Sequence, residues 1–168
     1  MDEAAFLEFY ARTAGPLFGY LGRLTGNRVL AEDLVQDAYL RLLSSRKLPR
    51  NQDHLKNYLF RIATNLARDH FRRAGVEQRL GACVGPSRVD VSAESYAGDV
   101  WSLLARLKPR DRELLLLAYV EGFSHREIAD VTGLMCASVR PLLFRSRRRF
   151  AAVLRAAGLF PYEGERTP

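Results

Sequence analysis

Residues 124–144, SHREIADVTGLMCASVRPLLF, predict a helix-turn-helix. Ala129 is a small residue where the two helices would cross, and Gly133 falls in a turn that favours a positive φ angle. Ser124 and Glu127 have the spacing of a capping box at the start of the first helix. A DNA-binding unit is the leading interpretation of this stretch, and an ordinary helical hairpin with an exposed basic face is the alternative.

The second helix of this unit is rich in arginine but also contains Pro141. A proline inside a helix removes an amide donor and clashes with the preceding turn, at a cost of about 3 kcal/mol. The conflict is relieved if the helix begins late, with Ser138 as its N-cap, so that Pro141 falls in the first turn. The alternative is an established helix that Pro141 kinks. Leu142 could offer only an apolar contact, for example to a thymine methyl group. The candidate DNA-binding residues of this helix are Ser138, Arg140, Leu142, Arg145, Arg147 and Arg148.

The net charge of +7 on 168 residues is concentrated in two blocks. Residues 46–80 hold nine basic and three acidic side chains, and residues 135–157 hold six arginines and no acid. The remainder of the chain is slightly acidic. Two contacts with a polyanion are therefore predicted, although basic helix faces can also be simply solvated.

Composition excludes several other classes of protein. No apolar run reaches the roughly 18 to 20 residues of a membrane span, and the acidic start at Asp2 and Glu3 is unlike a secretion signal, so we expect action in the cytosol. Cys83 and Cys136 lie far apart and the three histidines are scattered, so no metal or cofactor is expected. An enzyme is the least favoured class, because no Ser/His/Asp set or Gly-rich phosphate loop has supporting context.

Apolar residues recur at three- and four-residue steps over residues 6–74, which predicts three or four helices. The expected breaks are Gly15–Pro16, 25–27 and 44–53. Residues 75–97 lose the period and contain many Gly and Ser residues, as in a linker, and the helical pattern returns from Asp99. The fold class is therefore all-α, with two small helical domains joined by a flexible linker. The expected boundaries are a first domain at 1–75, a linker at 76–98, a second domain at 99–157 and a fraying tail at 158–168.

Three segments, in this order, resemble the extracytoplasmic-function (ECF) sigma factors of bacterial RNA polymerase. Residues 31–42 (AEDLVQDAYLRL) resemble the helix that binds core polymerase, and residues 58–73 (YLFRIATNLARDHFRR) the helix that meets the −10 promoter element. Residues 107–129 are similar to the entry into the domain that reads the −35 element. The resemblance implies sigma region 2 in the first domain and sigma region 4 in the second. It also implies core binding, recognition of both promoter elements and promotion of promoter melting.

The resemblance assigns roles to two helix faces. Arg61, Asn65, Arg68 and Arg72 form one stripe at i, i+4, i+7 and i+11 that can follow a DNA backbone. The residues that the family would use against the −10 element are Asn57, Tyr58, Arg61, Asn65, Arg68, Arg72 and Arg73. The residues that it would use against the clamp coiled coil of core polymerase are Glu32, Asp33, Gln36 and Asp37, and a solvated helix face is the alternative interpretation.

This chain departs from the family where Ala137-Ser138 replaces the usual Gly-Thr and Pro141-Leu142 replaces a small polar residue and Arg. The departure keeps a second function open, a sigma-like decoy that titrates an anti-sigma factor. An ordinary helix-turn-helix repressor or activator is a third possible function, although this interpretation gives the first domain no role. The resemblance implies promoter DNA, core polymerase and an anti-sigma factor as partners, without membrane insertion.

Overall fold

Seven α-helices and one π-helical turn account for the regular structure of residues 2–79 and 96–159, which the computed structural model describes. None of the helices in these two ranges combines the length and the apolarity that crossing a bilayer requires. The all-α prediction is confirmed. The elements are α1 (Glu3–Thr25), α2 (Arg28–Leu43), α3 (Gln52–Arg79), α4 (Tyr96–Leu104), α5 (Pro109–Leu115), the π turn (Leu116–Val120), α6 (His125–Thr132) and α7 (Cys136–Ala156).

The first three helices pack as a bundle whose ends are set by local capping. Gly26 closes α1 in the left-handed region at φ 69°, where glycine carries no steric penalty. The Asn27 side chain then accepts the Leu30 amide at 3.1 Å and starts α2. The predicted breaks at 25–27 and 44–53 are therefore confirmed. Tyr20, Leu21 and residues of α2 and α3 fill the bundle core.

The break expected at Gly15–Pro16 is wrong, because α1 runs without interruption through both residues. Phe9, Leu17 and Leu24 are all buried along this helix, so one continuous apolar face is packed on either side of the proline. Burying these side chains outweighs the missing amide bond of a single proline.

The second domain has the predicted helix-turn-helix in α6 and α7. Ser124 and Glu127 form a complete capping box, and Gly133 ends α6 at φ 74°. A buried carboxylate fixes α7 against α5: Asp111 accepts hydrogen bonds from Ser146 at 2.7 Å and from Arg149 at 2.7 and 3.0 Å. The orientation of the second helix is therefore set by a polar anchor as well as by apolar packing.

Of the two alternatives for this helix, the structure excludes the late start at Ser138. α7 begins at Cys136 with Met135 as its N-cap, so Pro141 lies inside the helix rather than in its first turn. The carbonyl of Ala137, four residues before the proline, thus lacks the amide partner that an ordinary residue would supply. Burial of Val139 and Leu143 on the inner face keeps the segment helical.

The helices of the two domains extend into the expected linker, 76–98, from both sides. α3 continues to Arg79, past the expected boundary at residue 75, and α4 begins at Tyr96. The rest of the expected linker, 80–95, and the expected tail beyond Leu159 lie outside the described residues.

The two bundles pack directly on each other, and their buried residues form one continuous apolar cluster. At its centre the ring of Phe60 from α3 lies 5.1 Å from that of Phe123, which follows the π turn. Arg112 of α5 donates to the carbonyl of Leu24 in α1 at 2.6 Å. The described part of the chain is thus a closed arrangement of both domains.

We predict that Pro141→Ala stabilises the protein, by up to about 3 kcal/mol, because it restores a donor for the Ala137 carbonyl and removes a clash. Thermal unfolding followed by circular dichroism measures the effect as a rise in Tm. Pro109→Ala is the matched control: Pro109 stands at the first position of α5, where its amide would have no partner within the helix. Equal responses of Tm to the two substitutions would contradict the assignment of strain to Pro141.

Candidate nucleic-acid interface

The predicted stripe on α3 is largely open to solvent. Arg61, Asn65, Arg72 and Arg73 are exposed. Arg72 makes an ion pair with Asp69 at 3.1 Å, and the two side chains are 73% and 45% exposed, so the pair contributes little stability and is easily exchanged for a phosphate. Four of the seven candidate residues for the −10 element are therefore presented on the surface.

Arg68, the third member of the stripe, is instead engaged by the second domain. Its guanidinium donates to the two carboxylate oxygens of Glu113 at 3.0 and 2.6 Å and to the carbonyl of Thr132 at 3.0 Å. The side chain of Glu113 is 4% exposed, and that of Arg68 is 39% exposed. Burial raises the pKa of Glu113, and the hydrogen bonds and charge of Arg68 oppose that rise.

Asn57 and Tyr58, the two candidates near the start of α3, are not free on the surface. Asn57 is 7% exposed, and it contributes, after the dominant hydrogen bonds from Ser124, to lowering the pKa of Glu127 in α6. Tyr58 is half-buried against the apolar cluster, and its hydroxyl lies 3.1 Å from that of Ser45. In this closed arrangement Asn57 is withdrawn from the surface, and Tyr58 is only partly accessible.

α7 carries its predicted arginines on the exposed side. Arg140 and Arg147 are seven residues apart and so lie on one side of the helix, while Arg145 and Arg148 occupy the neighbouring sides. All four are exposed, and within the described residues none of them makes an ion pair. Arg147 and Arg148 lie over the Phe144 ring at 6.0 Å, so these arginines could reach phosphate oxygens or base edges without breaking an ion pair.

Two other candidates of this helix are less available. Ser138 is half-buried, and Leu142 is partly buried against the apolar cluster rather than projecting fully into solvent. Arg149 belongs to the predicted basic block, but its guanidinium forms an ion pair with Asp111 and so holds α7 against α5.

The predicted acidic face of α2 is present, with Glu32, Asp33, Gln36 and Asp37 all exposed. Glu32 makes only a long ion pair with Arg28, at 3.4 Å and in solvent. The opposite face of the helix is buried in the bundle through Leu34, Ala38 and Leu42. α2 thus offers a rigid polar surface that packing does not use.

Sequence reasoning missed the apolar residues within this face. Leu40 is 62% exposed, and Val29 and Leu43 are also largely in water. Leu40 lies one turn from Gln36 and Asp37, so apolar and acidic groups share one surface. The sequence did contain a signal for this contact: Leu40 does not fit the helical spacing of the buried residues of α2. Exposed apolar residues grouped on one face of a helix indicate a contact with another protein. Glu113 and Asp111 were missed as well, because nothing in the sequence marks their distant partners.

Two protein-family models match separate parts of the chain. Sigma-70 region 2 matches residues 9–76, which hold most of α1, all of α2 and most of α3. Sigma-70, region 4 matches residues 97–150, which hold the helix-turn-helix. The two models therefore cover, in order, the surfaces described above.

Curated relatives extend the likeness over nearly the whole chain. The RNA polymerase sigma factor CarQ of Myxococcus xanthus is 30% identical over 155 residues, which cover 89% of either chain. The ECF RNA polymerase sigma factor SigM of Bacillus subtilis is 25% identical over 154 residues, covering 87% of this chain and 93% of SigM.

Solved structures show the same arrangement of helices. The sigma factor RpoE in complex with the anti-sigma factor NepR from Bartonella quintana superposes with a TM-score of 0.76 at 25% identity, over 90% of this chain and 97% of that one. CnrH in complex with the cytosolic domain of CnrY gives a TM-score of 0.65 at 28% identity, over 92% and 90%. With two region models in order, full-length relatives and a shared fold, the chain belongs to the ECF sigma factors of bacterial RNA polymerase.

Proposed function

We propose that this sigma factor uses three separate surfaces to bring RNA polymerase to a promoter. The exposed face of α2 binds the clamp coiled coil of core polymerase, the stripe on α3 meets the −10 element, and α7 reads the −35 element. In this assignment residues 1–75 act as region 2, 99–157 as region 4, 76–98 as the linker between them and 158–168 as a tail.

The separation of charge between these helices is the observation that carries the proposal. α2 presents three acids together with exposed Leu40 and Leu43, a combination suited to a basic protein helix and repelled by DNA. α3 and α7 present arginines, which suit phosphates and the edges of guanine. The surfaces for protein and for nucleic acid therefore do not compete with each other.

Promoter melting requires no catalytic group from the protein. Preferential binding of single-stranded DNA shifts the duplex equilibrium toward the open state, as for any ligand that favours one of two states. Sigma factors are regulators of transcription rather than enzymes. We place the action of this one in the cytoplasm, where the polymerase works, and we assign it no metal or cofactor.

An anti-sigma factor is a further proposed partner. The support is the likeness to the RpoE–NepR complex. A decoy that only titrates such a partner is the alternative function, and the burial of Leu142 together with Pro141 inside α7 favours it. The exposed arginines 140, 145, 147 and 148 favour promoter reading instead.

In-vitro transcription with core polymerase on a genomic template library, followed by mapping of the start sites, tests the main proposal. Transcripts that share a sequence upstream of the start at both promoter elements would support it. Association with core without any dependence on the −35 region, combined with capture of an anti-sigma factor, would support the decoy.

Core binding should depend on the charge of α2. We predict that Asp33→Lys with Asp37→Lys weakens association with core polymerase at least tenfold, because basic groups would then face a basic partner helix. Both sites are exposed, so the stability should change by about 0.5 kcal/mol or less. Biolayer interferometry against immobilised core measures the affinity, and thermal unfolding checks the fold.

The matched control for core binding is the double charge reversal Glu3→Lys with Glu8→Lys, two exposed acids on α1 outside the proposed face. It changes the net charge equally and should leave the affinity unaltered. If both double variants lose affinity alike, a general effect of charge is responsible and the assignment to α2 fails.

Promoter binding should weaken with salt according to the number of phosphate contacts. We predict that Arg61→Ala and Arg72→Ala each flatten the log–log salt dependence of holoenzyme binding by about 0.7 to 0.9, since each loss of a phosphate contact releases one counterion fewer. Arg28→Ala is the control, because Arg28 is exposed on α2. Slopes equal to that of the wild type for both α3 variants would show that these arginines do not contact DNA.

A further inference from the structure

An apolar groove of about 350 Å³ lies within the second domain, between α4, the π turn and α7. Its lining is apolar except for the hydroxyl of Tyr119 and the guanidinium of Arg147. Tyr119 is 60% exposed and Val120 is 41% exposed, so the part of the chain that the structure describes leaves the opening uncovered. An exposed apolar surface of this kind indicates a binding partner. The groove is lined by, among others, Trp101, Tyr119, Arg147, Phe150 and Leu154.

α7 ends beside this groove, and the chain turns back there. Gly158 closes the helix at φ 70°. Its amide donates to the carbonyl of Arg155, and the amide of Leu159 donates to the carbonyl of Leu154, both at 3.0 Å; these are the two bonds of a Schellman turn. Such a turn commonly packs the residue after the glycine against the residue five positions earlier. Leu159 is half-buried and Leu154 lines the groove, so the chain leaves α7 at the rim of the groove.

The sequence that follows the turn has the length and the side chains to fill the groove. Residues 160–168 read FPYEGERTP. An extended chain gains about 3.3 Å per residue, so three residues cover the ~10 Å of α7 between Leu154 and Arg147. Phe160 and Tyr162 would share one side of an extended segment, and Pro161 favours an extended backbone at the residue before it. Two aromatic side chains therefore fall at the level of the groove.

The charges of the groove and of this segment are complementary. Arg147 is the charged residue of the lining, and within the described residues it makes no ion pair. Glu163 directly follows the aromatic pair, and Glu165 comes two residues later. Glu163 would thus reach Arg147 when the two aromatic side chains occupy the groove. Because the segment is attached at the rim, its effective concentration there is high, on the order of millimolar for short connections.

We propose that residues 160–168 fold back along α7 and fill the apolar groove. Phe160 and Tyr162 pack against Trp101 and Phe150, and Glu163 pairs with Arg147. Each aromatic side chain can bury about 150 to 250 Å² of surface, and the ion pair at the rim sets the direction of the segment. The expected fraying tail is then part of the second domain. This inference does not depend on the assignment of α7 to the −35 element.

The fluorescence of Trp101 tests the inference, since Trp101 is the only tryptophan of the chain and lines the groove. We expect Phe160→Ser with Tyr162→Ser to raise the acrylamide quenching constant of Trp101 about twofold or more and to shift its emission to the red, because water then reaches the ring. Circular dichroism checks that the helices are retained. The matched control, Arg166→Ala with Thr167→Ala in the same segment, should behave like the wild type.

Equal quenching of Trp101 in the wild type and in the Phe160/Tyr162 variant would overturn the docking. A second copy of the chain is the alternative occupant of the groove. Protection of Trp101 that disappears on dilution, together with a fall from dimer to monomer in analytical ultracentrifugation, would favour that occupant and also overturn the proposal. Protection that is independent of concentration supports it. Neither result bears on the sigma function, which the transcription assay tests separately.

An exchange of charges tests the course of the segment. Arg147→Glu and Glu163→Arg should each raise the quenching of Trp101, and the two together should restore it toward the wild type, because the ion pair forms again with its signs reversed. Arg148→Glu with Glu163→Arg is the matched control: Arg148 is exposed beside Arg147 but does not line the groove, so no recovery is expected. Failure of the Arg147/Glu163 pair to recover, or equal recovery of both pairs, would contradict the proposed course.

Discussion

The bidentate pair between Arg68 and Glu113, together with the packing of Phe60 on Phe123, holds the two domains of this sigma factor against each other. It joins α3 to α5 at 2.6 and 3.0 Å, and the same guanidinium reaches the last turn of α6 through the Thr132 carbonyl. The burial of Phe60 and the access to α3 both follow from this orientation. The stripe that we propose to meet DNA and the contact between the domains thus share one residue.

Energetically, the pair favours one particular arrangement more than it adds net stability. Burying Glu113 is costly, as the raised pKa of this side chain shows, and Arg68 offsets only part of that cost. The apolar contact around Phe60 and Phe123 stabilises the association of the domains, but hydrophobic burial does not favour one particular orientation. The polar groups of this contact lie at an edge that is partly exposed to solvent. Water or a phosphate can therefore replace Glu113 as the partner of Arg68, which suits two domains that must separate.

The sequence predicted the helices, the capping box, the turn at Gly133 and the exposed arginines, since each depends on residues within a few positions of one another. It failed at Pro16, where burial of a long apolar face overrides a proline. It left open whether α7 begins late or runs through Pro141, and the same kind of burial decides that question. It could not indicate that Arg68 pairs with Glu113, 45 residues away, because such pairing leaves no periodic trace. The exposure of Leu40 could be predicted only from its position on α2, on the side away from the buried residues.

The distance between the two domains, in the free protein and on the polymerase, tests the central claim most directly. Double electron–electron resonance between spin labels at Glu8→Cys in α1 and Ala152→Cys in α7, with the native cysteines replaced by serine, reports it. We predict one short distance in the free protein and a distance longer by tens of ångströms on core polymerase with promoter DNA, as the spacing of the elements requires. The same distance in both states would contradict it.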